Sequence, residues 1–320
     1  MSLIKKCSMC QAPPVVRHSF TKIFFCATCF QINFLNEVHE YVQNYNLIPI
    51  NSSIVVGVSG GKDSSVLLDV LFKLINTYPD IYVNTTLHMV AVDEGIKNYR
   101  DNSLDVVREI QAIYNLPLKI VSFEAYYKRS LDDLIVMLDS TNSSCSFCGI
   151  LRRSSLQKGA NELNLPNMRV ATGHNADDNA ETVMLNLLRG DSAKLLRCVD
   201  PVASLEANGA RIKPLAFQAQ KDIVLYAFHA KLKYFSTECP YAVTAFRGVA
   251  RRLIQELSRS NSMCQIQTQE AILSVRGERP TVKVQSCAQC GTAIVGSKCQ
   301  ACEIANSNNA EELRRVLKVK

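Results

Sequence analysis

The sequence predicts an α/β fold, a doubly wound parallel sheet flanked by N- and C-terminal zinc-finger modules, on three observations. Short apolar runs rich in β-branched residues alternate with helix-period apolar stripes through the middle of the chain, as repeated βαβ units do. Eight of the thirteen cysteines fall into two paired sets, one near each end. The rest is the composition of an ordinary globular protein: 320 residues, 47% apolar and 20% charged, with 36 Lys plus Arg against 29 Asp plus Glu. At this length folding buries roughly 75% of the surface the unfolded chain exposes, so no disulfide framework is needed. No run approaches the ~20 apolar residues of a membrane span and none precedes Cys7, so neither a membrane anchor nor a signal peptide is expected. The expected compartment is the reducing cytoplasm, where thiols stay free or bind metal. The net charge of +7 suits a polyanionic partner without identifying one.

The elements follow in order. Residues 1–32 carry Cys7-x2-Cys10 and Cys26-x2-Cys29. Each pair forms a knuckle supplying two soft ligands, and four thiolates complete the tetrahedron of Zn2+. His18, between the pairs, is then surplus and reads as a surface residue. Residues 33–258 form the core. Ser53 to Val58 is a β-branched strand, followed by a helix with Val66, Leu67, Val70, Leu71, Leu74 and Ile75 on one face. Leu87 to Val92 is a second strand, followed by a helix carrying Leu104, Val107, Ile110 and Ile113. Leu116 to Phe123 is a third, and Arg169 to Thr172 a fourth, with Val183, Met184, Leu187 and Leu188 in the next helix. Ligands of such sheets bind at the carboxyl ends of the strands. Ser258 to Gln285 is polar and irregular, so 259–286 reads as a link to a second module, 287–320, with Cys287-x2-Cys290 and Cys299-x2-Cys302 as its zinc ligands.

Between the first strand and the first helix stands Gly57-Val-Ser59-Gly60-Gly61-Lys62-Asp63-Ser64. A glycine pair there lets backbone N–H groups at a helix start approach a phosphate. Its register excludes a Walker A loop, because only three residues separate Gly57 from Gly61 and Asp63 follows the lysine; nor is there a G-x-G-x-x-G. The other strand ends carry Val92-Asp93-Glu94-Gly95 and Thr172-Gly173-His174-Asn175-Ala176-Asp177-Asp178. Carboxylates clustered at strand ends are costly unless they cap helices or serve a ligand. Asp178 suits a helix cap as well as a chemical role, which leaves Asp177 the better catalytic candidate; His174 orients nucleotide or backbone.

The loop resembles that of the N-type ATP pyrophosphatases, which split ATP into AMP and pyrophosphate while adenylating a substrate oxygen. The resemblance implies an ATP site made of Gly57, Ser59, Gly60, Gly61, Lys62, Asp63, Ser64, Val92, Asp93, Arg152, Gly173 and His174, with Mg2+ on the phosphates and Asp63 as a helix-start carboxylate or a metal contact. Five cysteines remain: Cys145, Cys148, Cys198, Cys239 and Cys264. Cys145-Ser-Phe-Cys148 has no second pair to close a zinc shell. Within this superfamily, tRNA thiolases carry such a pair after the third strand and a single cysteine further on, matched here by Ser236-Thr-Glu-Cys239. The resemblance implies that Cys145, Cys148 and Cys239 are catalytic, either as ligands of a 4Fe-4S cluster with one open corner or as a persulfide relay. Cys198 and Cys264 read as inert.

Flanking zinc modules together with Val92-Asp-Glu-Gly-Ile96, Tyr99-Arg-Asp-Asn-Ser-Leu104, Cys148-Gly-Ile-Leu-Arg-Arg153 and Tyr234-Phe-Ser-Thr-Glu-Cys239 are similar to the eukaryotic cytoplasmic tRNA 2-thiolation enzymes. Two departures stand out. Arg152 takes the place of a lysine in the prokaryotic relatives, keeping the charge but losing the capacity to transfer a proton. The tail after Cys302 differs from the longer apolar ending of the family. The resemblance implies adenylation of C2 of uridine 34 in tRNA, replacement of its oxygen by sulfur from a ubiquitin-like carrier, and a paralogous second subunit. Arg152, Arg153, Lys158, Arg189, Lys194, Arg247, Arg251 and Arg252 are the candidate phosphate contacts for RNA, against the alternative of a solvated face. Three rivals are weighed. A tRNA 2-thiocytidine synthetase is not expected to carry both zinc modules, a lysidine-forming ligase leaves the three cysteines unexplained, and a non-catalytic zinc-finger scaffold has no use for an intact Ser59 to Ser64 loop.

Overall fold

The computed structural model describes residues 6–138, 144–203, 209–241, 247–275, 284–295 and 297–317. The first module is a hairpin of β1 (Val16–Arg17) and β2 (Phe24–Phe25) leading into α1 (Ala27–Asn44). Then come β3 (Ser53–Gly57), α2 (Lys62–Thr77), β4 (Thr86–Asp93), α3 (Arg100–Tyr114) and β5 (Leu118–Ser122). They are followed by α4 (Phe123–Tyr127), α5 (Leu131–Leu138), α6 (Ser144–Asn161), β6 (Met168–Ala171), α7 (Ala176–Leu188) and α8 (Ser192–Cys198). The short strands β7 (Val202–Ala203) and β8 (Ala210–Ile212) precede α9 (Gln220–His229), α10 (Arg247–Ser260) and α11 (Cys264–Val275). The last module comprises β9 (Val284–Ser286), β10 (Ala293–Val295), α12 (Gln300–Asn306) and α13 (Ala310–Leu317).

The central sheet has the order β5-β4-β3-β6-β8-β7, with five parallel strands and β7 antiparallel at the edge. Its core strand alternates between two apolar layers. Ile54 and Val56 face α1, α2, α3 and α9, while Val55 faces α4, α5, α6 and the C-terminal module. Burial on both sides is why β3 reads as an unbroken apolar run rather than an alternating one. The chain winds outward from β3 to β4 and β5 on one side and from β6 to β8 on the other. The turn from one winding to the other opens a crevice at the carboxyl ends of β3 and β6, where such sheets take ligands. β6 pairs with β3 through Val56 and Ala171, so the loops after these two strands lie side by side.

Four expectations are corrected. The stretch 258–285 is not irregular throughout: α11 packs on α7, and Gln269, only 1% exposed, donates to the Ala216 carbonyl while accepting from Asn179. Its polar side chains are buried because they answer each other, which an apolar-periodicity reading misses. Leu187 and Leu188 continue the α7 stripe in sequence but are 58% and 55% exposed. The helix itself starts earlier than its apolar residues suggest, at Ala176, with Asn175 as N-cap and Asp178 as the third residue of a reciprocal capping box.

His18 is the fourth. It is 2% exposed, its Nε2 3.3 Å from Glu37 of α1 and 3.5 Å from Asp222 of α9. Asp222 also accepts from the Ser19 N–H at 3.0 Å and hydroxyl at 2.7 Å. The loop between the cysteine pairs is thus an anchor that docks the module on the core. Burial alone would lower the His18 pKa, but Glu37 and Asp222 more than offset it and raise it above 6.5. A histidine raised in the folded state stabilises below its unfolded pKa, and that contribution is lost as pH rises through the folded value. Thermal unfolding of the metal-loaded protein is therefore expected to show a stability component that declines above pH 6.5. His18→Ala should remove that component and, by stranding the buried Asp222 and the half-buried Glu37, cost about 3 kcal/mol.

Candidate active site

The loop after β3 is shaped by two close approaches. Gly60 has φ +86° and passes so near Ser103 that a Cβ would sit 2.6 Å from its carbonyl oxygen. At Gly173, on the loop after β6, a Cβ would meet the Asp63 backbone at 3.0 Å, so the two loops touch. Hydroxyls hold the turn. Ser64 Oγ donates to the Gly61 carbonyl at 2.9 Å and accepts from the Ser59 N–H at 3.2 Å, while Gly61 N–H donates to Ser59 Oγ at 3.3 Å. Lys62 pairs with Asp63 at 2.9 Å.

Beside this turn lies a pocket of about 250 Å³ lined by Gly57, Ser59, Asp63, Ser64, Val92, Arg152, Gly173 and His174 of the expected ATP set. Gly60, Gly61 and Lys62 are not among its lining residues. Asp93 turns away, its Oδ1 accepting the Gly95 N–H at 2.9 Å. Val58, Val90, Val92 and Leu156 make one end apolar, and Arg152, Arg153, Arg247 and Asp178 make the other ionic.

Two residues that sequence reasoning missed organise the ionic end. Glu94, 3% exposed, forms ion pairs with Arg152, whose Nε lies 2.7 Å from one oxygen, and with Arg100, whose Nε lies 3.0 Å from the other. Arg100 reaches on to the Ser59 carbonyl at 2.7 Å. One buried carboxylate therefore ties the phosphate loop to Arg152, which in turn donates to Cys148 Sγ at 3.3 Å. Both missed residues stand in quoted motifs, Glu94 beside Asp93 and Arg100 after Tyr99. The signal that could have found them is the opposite charge of two motifs at neighbouring strand ends.

Asp177 does not line the pocket: its Oδ2 accepts the Gln220 N–H at 2.7 Å and its Oδ1 accepts Gln265 Nε2 at 3.0 Å, fastening α7 to α9 and α11. Asp178 lines the pocket instead, 3.3 Å from Arg247. Its pKa is raised because burial outweighs that arginine. His174 Nδ1 lies 2.9 Å from Thr172 Oγ1, and burial together with Lys213, Arg247, Arg153 and Arg211 pushes its pKa down to about 3. It is neutral at physiological pH and orients rather than neutralises. Lys213, also missed, sits behind it, bonded to Asn179 Oδ1 at 3.0 Å and lowered by burial to about 8.

The sulfur residues converge on the same edge. Phe235 N–H donates to the Gly60 carbonyl at 2.8 Å, so the segment that carries Cys239 is hung on the phosphate loop itself. Cys145 Sγ lies 3.6 Å from the Tyr241 carbonyl, Cys148 feels the charge of both other thiols, and Cys239 feels that of Cys145. Burial pushes the Cys148 thiol up to about 11. Among the described residues only the two terminal sets bring three or more donor atoms within 4.8 Å of one another. Cys145, Cys148 and Cys239 do not form such a set. In the terminal sets the Sγ separations are 3.6 Å for Cys10 and Cys26, 3.8 Å for Cys287 and Cys302, and 3.7 Å for Cys290 and Cys299. Four sulfurs at ~2.3 Å from a tetrahedral ion stand ~3.8 Å apart, so both sets fit one Zn2+.

The candidate RNA cations divide. Arg152, Arg153 and Arg247 line the nucleotide pocket, and Arg153 and Lys194 line a larger cleft beside it. Arg247 and Arg251 pair with the buried Glu181 at 2.6 and 2.9 Å, fastening α10 to α7. Lys158 lies over the Tyr126 and Tyr127 rings, Arg189 caps the end of α7, and Arg252 is exposed on α10.

Residues 31–257 match the PP-loop domain family. The chain is similar to the cytoplasmic tRNA 2-thiolation protein 1 of Danio rerio, 40% identical over 310 residues that cover 95% of this chain and 88% of that one. It is 37% identical to the Dictyostelium discoideum protein of the same name, over 96% of this chain and 84% of the relative. Among solved structures it resembles the U34-tRNA thiolase NcsA from Methanococcus maripaludis with its 4Fe-4S cluster: TM-score 0.81, 27% identity, 97% of this chain and 98% of that one. No described helix is long and apolar enough to cross a membrane.

Two tests follow from the geometry. Asp178→Asn should cut ATP-dependent turnover at least tenfold with little change in melting temperature. Asp177→Asn should do the reverse, lowering the melting temperature by loosening α7 from α9 and α11. Glu94→Ala, which strands Arg100 and Arg152 around a buried void, is expected to cost about 3–5 kcal/mol in chemical denaturation. The isosteric Glu94→Gln should keep more of the fold but weaken binding of a non-hydrolysable ATP analogue.

Proposed function

The chain belongs to the PP-loop family of cytoplasmic tRNA 2-thiolation protein 1, and from that membership we propose that it is an ATP-dependent sulfurtransferase converting wobble uridine 34 of tRNA to 2-thiouridine in the cytoplasm. The observation that carries the reading is Arg152. One guanidinium lines the nucleotide pocket, pairs with Glu94 and donates to Cys148 Sγ at 3.3 Å. Phosphate chemistry and sulfur chemistry meet on a single side chain.

The reaction solves a leaving-group problem, since the C2 oxygen of uracil cannot depart as oxide. The oxygen attacks the α-phosphorus of ATP, an O–P bond forms, and pyrophosphate leaves. Sulfur at the sulfide level then adds to C2, and the C2–O bond breaks with AMP carrying the oxygen away. Ser59, Gly60, Gly61, Lys62 and Ser64 hold the departing pyrophosphate, and Asp63 is the rim carboxylate that would hold Mg2+ on it. Val90 and Val92 line the apolar end that suits adenine. Arg152, Arg153 and Arg247 neutralise charge as it moves to the leaving group. Adenylation requires the uracil N3 proton to go, and Asp178, whose pKa burial raises toward neutrality, takes it. Neutral His174 fixes the position of the base or ribose through its free nitrogen.

Zn2+ occupies the sets Cys7, Cys10, Cys26, Cys29 and Cys287, Cys290, Cys299, Cys302. Cys145, Cys148 and Cys239 would hold a 4Fe-4S cluster, which would supply iron to bind the incoming sulfur. The thiol of Cys148 favours that arrangement over a persulfide relay: at a pKa of about 11 it is protonated and a poor nucleophile at neutral pH, whereas a bound metal draws the proton off. The sulfur arrives as a C-terminal thiocarboxylate on a ubiquitin-like carrier, and a paralogous subunit completes the enzyme.

Anaerobic protein incubated with ATP, tRNA, a sulfide source and the partner subunit should yield AMP, pyrophosphate and 2-thiouridine. Cys145→Ala, Cys148→Ala and Cys239→Ala should each abolish 2-thiouridine and lower the iron content without lowering zinc. Thiolation that survives Cys239→Ala, or a full rate in iron-free protein, would refute the three-cysteine cluster.

A further inference from the structure

The larger cleft is not the nucleotide pocket. About 1180 Å³ in size, it runs between the C-terminal four-cysteine module and the surface made by α6, α8 and β8. That exceeds the ~300–1,000 Å³ usual for a small-molecule site. Its described walls carry Arg153, Lys194, Arg197 and Arg211 on the core side and Lys298 and Arg315 on the module side, against the carboxylates of Glu303 and Glu312. Both carboxylates are engaged, Glu303 with Lys298 at 3.5 Å and Glu312 with the Asn308 N–H at 2.7 Å and Asn309 Nδ2 at 3.2 Å. The pairs that Lys194 and Arg315 make are exposed and lie within their own helix or its cap, which holds them weakly. Arg153 lines both the cleft and the nucleotide pocket, so the two adjoin at that side chain. The field at that junction is net positive: burial and the neighbouring Arg211, Arg152 and Arg247 lower the Arg153 pKa to about 10.

We infer that this cleft seats the RNA backbone next to the reacting nucleotide, with its phosphates along the six cations and the target base passed over Arg153 into the nucleotide pocket. The inference rests on the tRNA reading above and adds where the strand lies and which module grips it. A base can meet both an α-phosphate and the cysteines only after leaving its stack, and single-stranded loops are where RNA offers such bases. Cations with few base-reading groups position a backbone without selecting sequence. The thiocarboxylate end of a carrier protein brings a single negative charge and has no use for six cations. The C-terminal metal module is then a substrate clamp.

The test uses the full-length protein with Lys298→Glu and Arg315→Glu combined, both on the exposed module wall and outside the nucleotide pocket. We expect tRNA affinity to fall at least tenfold and the slope of log affinity against log salt to shrink by about 1.5, since each lost phosphate contact is worth ~0.7–0.9. Zinc content and affinity for an ATP analogue should be unchanged. Matched reversals at Arg108 and Arg259, exposed on other faces, should change tRNA affinity less than threefold. If the double variant loses zinc, Lys194→Glu on the opposite wall is read instead, with an expected loss of at least threefold. Equal affinity and slope in wild-type and cleft variants would overturn the inference, as would an equal loss in the Arg108 and Arg259 control. Intact tRNA affinity with failed transfer from the carrier alone would assign the cleft to the carrier and overturn it too. A wild-type protein without tRNA affinity would sink the thiolase reading itself, which separates the two failures.

Discussion

The pairing of β3 with β4 on one edge and β6 on the other is the constraint on which the rest depends. Because the chain winds away from β3 in both directions, the crossover helices leave the junction uncovered, and the loops after β3 and β6 face each other. Their contact is close enough that Gly173 lies against the Asp63 backbone. A side chain at Gly173 pushes these loops apart and one at Gly60 pushes the phosphate loop off Ser103 of α3, and everything that converges there moves with them: Arg100 on the Ser59 carbonyl, Phe235 on the Gly60 carbonyl, and through Phe235 the segment bearing Cys239.

That geometry concentrates positive charge, and the buried acids determine which cations are committed. Glu94 fixes Arg100 and Arg152, and Glu181 fixes Arg247 and Arg251. At Glu181 the neighbouring Asp178 balances the second arginine, but at Glu94 one carboxylate holds two guanidinium groups and the locality keeps a net positive charge after the ion pairs have formed. A protein interior tolerates this only where an anion is to arrive. The depressed pKa values of Arg153, His174 and Lys213 register the same surplus from three positions, with burial the leading cause in each.

Much of this was legible in the sequence, for reasons that differ by element. The strands β3, β4, β5 and β6 were readable as apolar runs, unbroken in β3 because it is buried on both faces of the parallel sheet, and α2, α3 and α7 as apolar stripes, whereas α4, α5 and α6 after β5 were not read. The zinc sets were readable because a tetrahedral ion dictates paired spacing. The phosphate loop was readable because close backbone approach demands glycine. What escaped was set by tertiary pairing between distant polar residues. His18 appeared superfluous beside four thiols, yet Glu37 and Asp222, from two separate helices, make it a buried anchor. Asp177 and Asp178 are neighbours on one helix turn, and only the positions of Gln220 and Gln265 reveal which one is spoken for. The α11 segment looked like a linker because its buried face is glutamine, answered by Asn179 and a backbone carbonyl rather than by apolar partners.

The two metal modules dock by opposite physics. The N-terminal one is fastened by buried charge, His18 between two carboxylates, with Cys7 and Cys29 packed into the layer beneath α2 and α9. The C-terminal one is fastened by apolar burial: Ile304 and Leu313 are fully buried in the opposite layer with Cys299 and Cys302, and Arg129 and Arg314 add bonds to the Ser307 and Leu138 carbonyls. A charged latch demands one geometry, because displaced carboxylates lose the cation between them, whereas an apolar contact tolerates small sliding at little cost. The module that forms one wall of the cationic cleft is therefore the one whose attachment can adjust. The module far from the cleft is held in a fixed pose, bracing α1 and α9 behind the sheet from which the phosphate loop emerges.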